Sequence, residues 1–257
     1  MTSPTITLSE NVVSVLSDHL LAGLRRQQQT HALCAAGVIA IVAHPETLER
    51  LKTMADFGDW GEYIKPFAAE EATSSFPTLN RYWAISIWTE LEAGVRALTL
   101  GVLSHNRNLL ERREFSSVKI KLSEYMQLDE DEQLVYLIDR AEQETGVPLK
   151  RGVDIFESEL RLVGLDGDVD TQIRNRLFEL QQVRNVLMHR AGRCDAKFAK
   201  QCSQLGVRVG DPLIVTIEQC VAYSSAAIDY TATIMMRIGK AMGADTSGLQ
   251  NAITEQS

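Results

Sequence analysis

The stretch from Val169 to Arg190, VDTQIRNRLFELQQVRNVLMHR, gives the strongest structural signal in this chain. Its apolar residues recur at intervals of three, four and seven positions, which places them on one face of an α-helix. These inward-facing positions are Ile173, Leu177, Leu180 and Leu187. Gly192 follows shortly afterwards, and glycine is typical of a helix C-terminus. Because a long helix with one apolar face requires other helices to cover it, we expect a helical bundle.

Helical patterns extend from this stretch over most of the chain in both directions. We predict further helices over about residues 9–29, 45–58, 78–102, 131–145, 153–163 and 216–243. The last of them begins with a capping box formed by Thr216 and Gln219. The segment Val207–Val215 carries the strongest strand pattern, two β-branched runs around a turn. The predicted fold class is therefore all-α, a helical bundle with one small β-hairpin before the last helix.

The domain organisation is predicted from the composition of the segment over residues 68–77 and from the tail over residues 244–257. The segment from Ala68 to Pro77 combines acids, serines and a proline, which is typical of a linker. We therefore expect an N-terminal helical subdomain over residues 1–70, the bundle over residues 78–243 and a mobile tail over residues 244–257.

The twelve apolar residues from Ala32 to Ala43 are too few for a bilayer, which takes about twenty, and predict a buried core helix.

Charge and cysteine content limit the classes of function. The net charge of -8 argues against indiscriminate nucleic-acid binding, because such binding depends on neutralising phosphates. Between Thr171 and Arg193, however, five arginines face the single acid Glu179, and such a basic strip attracts a polyanion to one place. The four scattered cysteines suit neither a zinc site nor a disulfide framework, and the acids near the N-terminus lead us to expect no export signal. We expect a cytoplasmic protein with no metal, no cofactor and no membrane contact.

The residues with the clearest chemical meaning lie at the end of the predicted helix. Arg184, Asn185 and His189 supply a permanent cation for a phosphate, an amide that can orient a neighbour, and a group that transfers protons near neutral pH. The spacing of the three residues has a chance expectation of about 0.01 occurrences in this chain. At about 100° per residue, Asn185 lies roughly 40° from His189, whereas Arg184 has to reach around the helix. These are the components of a metal-free ribonuclease.

The segment around this motif resembles the HEPN family (higher-eukaryote and prokaryote nucleotide-binding domains). The family is marked by an arginine, four to six further residues and a histidine, usually with a polar residue directly after the arginine. Arg184, Asn185 and His189 occupy these positions in this chain. The resemblance extends from about Thr78 to Gly243, while the first seventy or so residues have no counterpart in it.

The resemblance implies a metal-independent endoribonuclease with an all-helical fold and a composite site in a homodimer. Many such proteins act as toxins or in phage defence, which implies an antitoxin or a nucleotidyltransferase as a further partner. A dimer also has a chemical reason. Cleavage by the ribose 2′-hydroxyl requires removal of one proton, delivery of another and stabilisation of the phosphorus, and one histidine and one arginine supply only half of this. A two-fold dimer brings together two copies of each.

Three further residues are candidates for the same site. Arg190 and Arg193 are expected to contact phosphates of the RNA, although solvated surface charge is the alternative interpretation for both. Glu92 is expected to support the position of Arg184 or His189, with an ordinary surface pair to Arg96, four residues away, as the alternative.

Two other classes of function stay open at this point. One is a non-catalytic HEPN-like module in which the basic strip binds a nucleotide or RNA without cutting it. The other is a helical protein-interaction module with no nucleic-acid ligand, which salt-independent association and no affinity for RNA would indicate.

Overall fold

The computed structural model describes residues 10–54, 60–144 and 150–243, and their regular structure is helical apart from one isolated β-bridge. The predicted all-α class is confirmed. The α-helices are α1 (Glu10–Ala43), α2 (Pro45–Met54), α3 (Trp60–Thr73), α4 (Pro77–His105), α5 (Arg113–Ser116), α6 (Leu122–Tyr125), α7 (Glu130–Glu144), α8 (Val153–Val163), α9 (Thr171–His189), α10 (Ala196–Gln201) and α11 (Ile217–Ala241). Two short 3₁₀ helices cover Arg107–Glu111 and Ser203–Leu205. The predicted tail over residues 244–257 lies outside the described residues.

Several helix ends follow directly from the local sequence. The backbone N–H of Thr216 donates to Oε1 of Gln219 at 2.8 Å, and the N–H of Gln219 donates to Oγ1 of Thr216 at 3.3 Å, so the predicted capping box is confirmed. Helix α9 ends at His189, and both Ala191, with a φ of 50°, and Gly192, with a φ of 71°, lie in the left-handed region that stops a helix. The N–H of Gly192 donates to the carbonyl of Val186 at 3.1 Å and closes this end of α9.

The predicted β-hairpin over Val207–Val215 is wrong for a reason visible in its hydrogen bonds. A turn is present, closed by the N–H of Asp211 on the carbonyl of Arg208. The two sides of the turn do not pair with each other as strands, and the backbone of this segment bonds to the chain that follows α9. The bonds are Gly210 N to Cys194 O (2.8 Å), Cys194 N to Asp211 O (3.0 Å) and Leu213 N to Gly192 O (2.7 Å). The segment thereby supports the loop after the motif.

The apolar run from Ala32 to Ala43 is not the separate buried helix that its composition predicts. It continues α1 without a break, and much of its surface is exposed, including 74% of Leu33 and 52% of Ile39. The prediction failed because a run of apolar residues does not by itself show what covers it. Among the described residues, no helix has both the length and the apolar character needed to cross a membrane.

The predicted linker over Ala68–Pro77 is also corrected, because α3 continues through most of it to Thr73. The acid Glu71 in this segment is 2% exposed. Its carboxylate accepts the backbone N–H groups of Thr78 at 3.1 Å and Leu79 at 3.3 Å, in the first turn of α4. Those N–H groups have no partner within the helix, so a buried carboxylate is a suitable cap for them. Glu71, one of the two acids that resemble a linker in sequence, is here part of a helix-capping contact.

The chain divides into two compact units, each assembled from separated segments. The first contains the described residues of Met1–Gly23, Thr89–Gln181 and Ser225–Ser257, and the second contains those of Leu24–Trp88 and Gln182–Ser224. This division differs from the sequential division expected near residues 70–78, because each unit joins segments that are far apart in the sequence. The motif Arg184, Asn185 and His189 belongs entirely to the second unit.

The first unit contains a cluster of three carboxylates around one guanidinium. Arg96 Nη2 lies 2.9 Å from Glu142 Oε2 and 3.3 Å from Asp139 Oδ1, while Arg96 Nε lies 3.2 Å from Glu159 Oε1. The pKa of Glu159 is raised to about 8, chiefly by burial. The positive charge of Arg96 lowers this pKa, and the nearby carboxylates of Glu142 and Asp139 raise it further. Glu159 therefore carries a proton near neutral pH although it contacts an arginine.

This raised pKa predicts a pH-dependent stability that Glu159→Gln removes. Between the ordinary carboxyl pKa and about 8, the folded protein holds a proton that the unfolded chain has lost, so stability falls as pH rises. The free energy of unfolding should fall by up to about 1.4 kcal/mol per pH unit from this group. In urea titrations at pH 5 to 9, the free energy of unfolding of Glu159→Gln should rise relative to that of the wild type as pH rises. Glu144→Gln, at an exposed position of α7, is the control, and a pH-independent difference for Glu159→Gln would contradict the account.

Candidate functional site

The last two turns of α9 place the motif at the boundary between core and solvent. On the inner face of the helix, Val186 and Leu187 are 3% and 7% exposed and anchor this end of the helix in the core of the second unit. Arg184 and Asn185 are half-buried, and His189 is exposed. A rigid helix therefore holds the polar side chains, while the histidine ring stays accessible to a ligand.

The guanidinium of Arg184 connects the other two residues of the motif. Its Nη1 atom lies 3.4 Å from Oδ1 of Asn185 and 3.4 Å from Nε2 of His189. The long arginine side chain thus reaches around the helix as expected from the sequence. Among the described contacts, the amide of Asn185 has the guanidinium of Arg184 as its neighbour, and no hydrogen bond joins it to the imidazole of His189. Both distances are long for hydrogen bonds, so the three groups are close together without being locked.

The contact between Arg184 and His189 depends on the tautomer of the ring. Because a guanidinium can only donate, Nε2 of His189 accepts from Arg184 in the neutral tautomer that carries its proton on Nδ1. A neutral imidazole has a lone pair that can take a proton from a hydroxyl. The geometry therefore places an imidazole nitrogen and a permanent cation 3.4 Å apart at an exposed helix end.

A cavity of about 260 Å³ opens beside His189 in the second unit. It is lined by Gln182, Asn185, Val186, His189, Arg190, Asp195, Lys197 and Phe198. All of these residues come from the last two turns of α9, from the loop that follows it and from α10. The cavity thus joins two residues of the motif to a helix that was not predicted from the sequence.

Asp195 lines this cavity and has a structural role. It is the N-cap of α10, and its Oδ1 accepts the backbone N–H of Phe198 at 2.8 Å. Its Oδ2 lies 3.4 Å from Nε of Arg190. Arg190, which was predicted to bind a phosphate, lines the cavity. Its positive charge is partly compensated by the carboxylate of Asp195.

Arg193, the other predicted phosphate-binding residue, does not line the cavity. Its Nη1 donates to the carbonyl of Gly210 at 3.1 Å, which ties the loop after α9 to the turn at residues 208–211. The side chain is exposed nevertheless. The structure thus places Arg190 beside the motif and gives Arg193 a contact that stabilises the loop.

The remaining basic and acidic residues of the prediction lie outside this group. Arg174 and Arg176 belong to the first unit, where Arg174 pairs with Asp154 and Arg176 lies 3.7 Å from Glu179. Glu92 also belongs to the first unit and is half-buried, so its supporting role stays a prediction. The basic strip of the sequence is therefore shared between the two units.

Sequence reasoning missed Lys197 and Arg81. Lys197 lies in the first turn of α10, exposed, and lines the cavity. The guanidinium of Arg81, on α4, lies against the loop after α9, since a Cβ at Gly192 would be only 2.9 Å from its Nη2. The helix start marked by Asp195 was the one signal that could have directed attention to Lys197. No local pattern connects Arg81 to the motif.

The described residues contain no cluster that could hold a metal ion, and the cysteine that follows the motif, Cys194, is buried. No group of three or more histidine, cysteine or acidic side chains in the described part of the chain is arranged to hold a metal ion. Cys194 follows the motif closely but is 2% exposed. Burial, together with the carboxylates of Asp211 and Asp195, raises the pKa of its thiol, which disfavours the reactive thiolate.

Comparison with known proteins adds no relative to this description. No family model, curated protein or solved structure matches the chain. The resemblance to the HEPN family stays a prediction that depends on Arg184, Asn185 and His189, and the function has to be argued from the site itself.

Proposed function

We propose that this protein is a metal-independent endoribonuclease that acts as a homodimer. The observation that supports it most is the approach of Arg184 Nη1 to within 3.4 Å of His189 Nε2 at an exposed helix end. A cation that stabilises a phosphate and a ring that moves a proton are held on one rigid helix, beside a cavity large enough for part of a nucleotide.

The proposed reaction uses the ribose 2′-hydroxyl as its nucleophile. The neutral ring of His189 takes the 2′-hydroxyl proton while the bond between O2′ and phosphorus forms. The bond between phosphorus and O5′ breaks, and O5′ receives a proton from an imidazolium. The products are a 2′,3′-cyclic phosphate and a free 5′-hydroxyl. Arg184 stabilises the added negative charge on the non-bridging phosphate oxygens.

The need for a second proton-transfer group is the reason for proposing a homodimer. One chain places one imidazole beside the guanidinium, and a single ring acts as base or as acid in one step. In the proposed dimer, His189 of the partner subunit supplies the second ring, so one histidine is neutral and the other is protonated.

The cavity also favours a second candidate function, a non-catalytic module that binds RNA or a nucleotide. A cavity lined by the cations Arg190 and Lys197 needs no second copy in order to bind an anion. In that case Arg184→Ala weakens RNA binding, His189→Ala leaves it unchanged, and the wild type yields no products.

The test is incubation of the purified protein with a labelled RNA in excess EDTA, followed by analysis of the product ends. We expect cleavage with 2′,3′-cyclic phosphate and 5′-hydroxyl ends. A matched RNA with a single 2′-deoxyribose 5′ to the main cleavage position should resist cleavage there. Activity that needs an added divalent metal, or products with 3′-hydroxyl ends, would contradict the proposed mechanism.

A further inference from the structure

The cavity beside His189 has a mixed lining. It includes two buried apolar side chains, Val186 at 3% exposure and Phe198 at 2%. The amides of Gln182 and Asn185 also line it, together with the charged side chains Arg190, Asp195 and Lys197. A ligand that fits such a lining has apolar faces and a hydrogen-bonding perimeter. A nucleobase has both properties, whereas an aliphatic chain or an isolated phosphate has only one.

We infer that this cavity is a nucleobase subsite, so that the substrate presents an unpaired nucleotide next to the scissile phosphate. The volume of about 260 Å³ lies just below the range of pockets for drug-sized ligands and suits one base. Within a duplex, the faces of a base are stacked and its edge is paired, so it cannot enter a cavity without leaving the helix. This inference rests on the proposed function and adds how the nucleotide is selected.

Lys197 is assigned to the phosphate of the same nucleotide. Of the cations at the edge of the cavity, Arg190 lies 3.4 Å from Asp195 and is partly neutralised by it. Lys197 is exposed on the first turn of α10, and no ion pair to it is found among the described residues. A phosphate at the mouth of the cavity would therefore meet Lys197 as its least compensated positive charge.

The subsite is tested by the binding of small probes that cannot undergo cleavage. The four nucleoside 5′-monophosphates and ribose 5-phosphate are titrated separately into the full-length wild-type protein, with calorimetry and methyl NMR as readouts. We expect at least one nucleotide to bind about tenfold more tightly than ribose 5-phosphate, because only the nucleotide fills the cavity. The methyl resonances of Val186 should shift on binding, while those of Val95, fully buried in the first unit, should not.

Lys197→Ala and Lys200→Ala form the matched pair of variants, since both lysines are exposed on α10 and only Lys197 lines the cavity. Lys197→Ala should weaken the binding of the nucleotides and of ribose 5-phosphate alike by about fivefold, and Lys200→Ala should change neither affinity. Equal affinities for nucleotides and ribose 5-phosphate, or no shift at Val186, would overturn the inference.

The same measurements separate this inference from the proposed function. Nucleotide binding at Val186 by a protein that cuts no RNA would support the subsite and contradict the ribonuclease. RNA cleavage by a protein whose cavity does not distinguish a nucleotide from ribose 5-phosphate would support the ribonuclease and contradict the subsite.

Discussion

Replacing His189 with alanine should lower the rate of RNA cleavage by about 10³-fold, because the reaction loses its proton-transfer group. The side chain is exposed and makes one long contact to Arg184, so its removal should leave the fold intact. The measurement is the initial rate of cleavage of a labelled RNA, with the thermal unfolding midpoint recorded for the same preparation. RNA affinity, measured at a fixed salt concentration, should change little.

His105→Ala is the matched control for this prediction. His105 is also an exposed histidine in the last turn of a long helix, but its ring bonds to the carbonyl of Gly101 at 2.9 Å, within the same turn. The two variants thus make the same chemical change at similar positions. A His189→Ala protein that keeps its fold and cleaves at the rate of the His105→Ala protein would exclude His189 from the reaction.

Replacing Arg184 should have the second-largest effect, and the size of the loss should depend on the replacement. Arg184→Ala removes the cation that stabilises the phosphorus centre and should lower kcat by about 10²-fold to 10³-fold. Arg184→Lys keeps the charge but not the planar fork of donors, and should recover only part of that loss. The measurement is kcat and KM on the same RNA at one ionic strength.

The division of the effect between kcat and KM decides the role of Arg184. A stabiliser of the transition state lowers kcat with little change in KM, whereas a residue that only binds RNA raises KM with kcat unchanged. Because Arg184 is half-buried, the alanine variant is first checked for its unfolding midpoint, and the lysine variant serves as the milder substitution. An effect confined to KM would favour the binding module.

The parts of the site that lie on one helix were predictable, because helical geometry fixes their relation. The spacing of Arg184, Asn185 and His189 alone determines that they lie within two turns, and Gly192 marks where the helix has to stop. Lys197 and the cavity were not predictable in the same way. Their position depends on how the chain reverses after α9, where the loop bonds to a segment that the sequence pattern had assigned to strands.

The errors in the fold have a related cause, since composition does not specify partners. The run from Ala32 to Ala43 is apolar enough for a core, but its burial depends on a neighbour that no local pattern specifies. Glu71 looks like a solvated linker acid, yet it is buried because the first-turn N–H groups of α4 provide its partners.

The central claim, that two subunits contribute histidines to one site, is tested most directly by mixing wild-type and His189→Ala chains. After subunit exchange at constant wild-type concentration, cleavage per wild-type chain is measured against the amount of added variant. If each site needs both histidines, mixed dimers are inactive, and activity should fall to about one half at equal amounts and about one tenth at ninefold excess. Activity per wild-type chain that stays constant at every ratio, after exchange has been demonstrated, would contradict the claim.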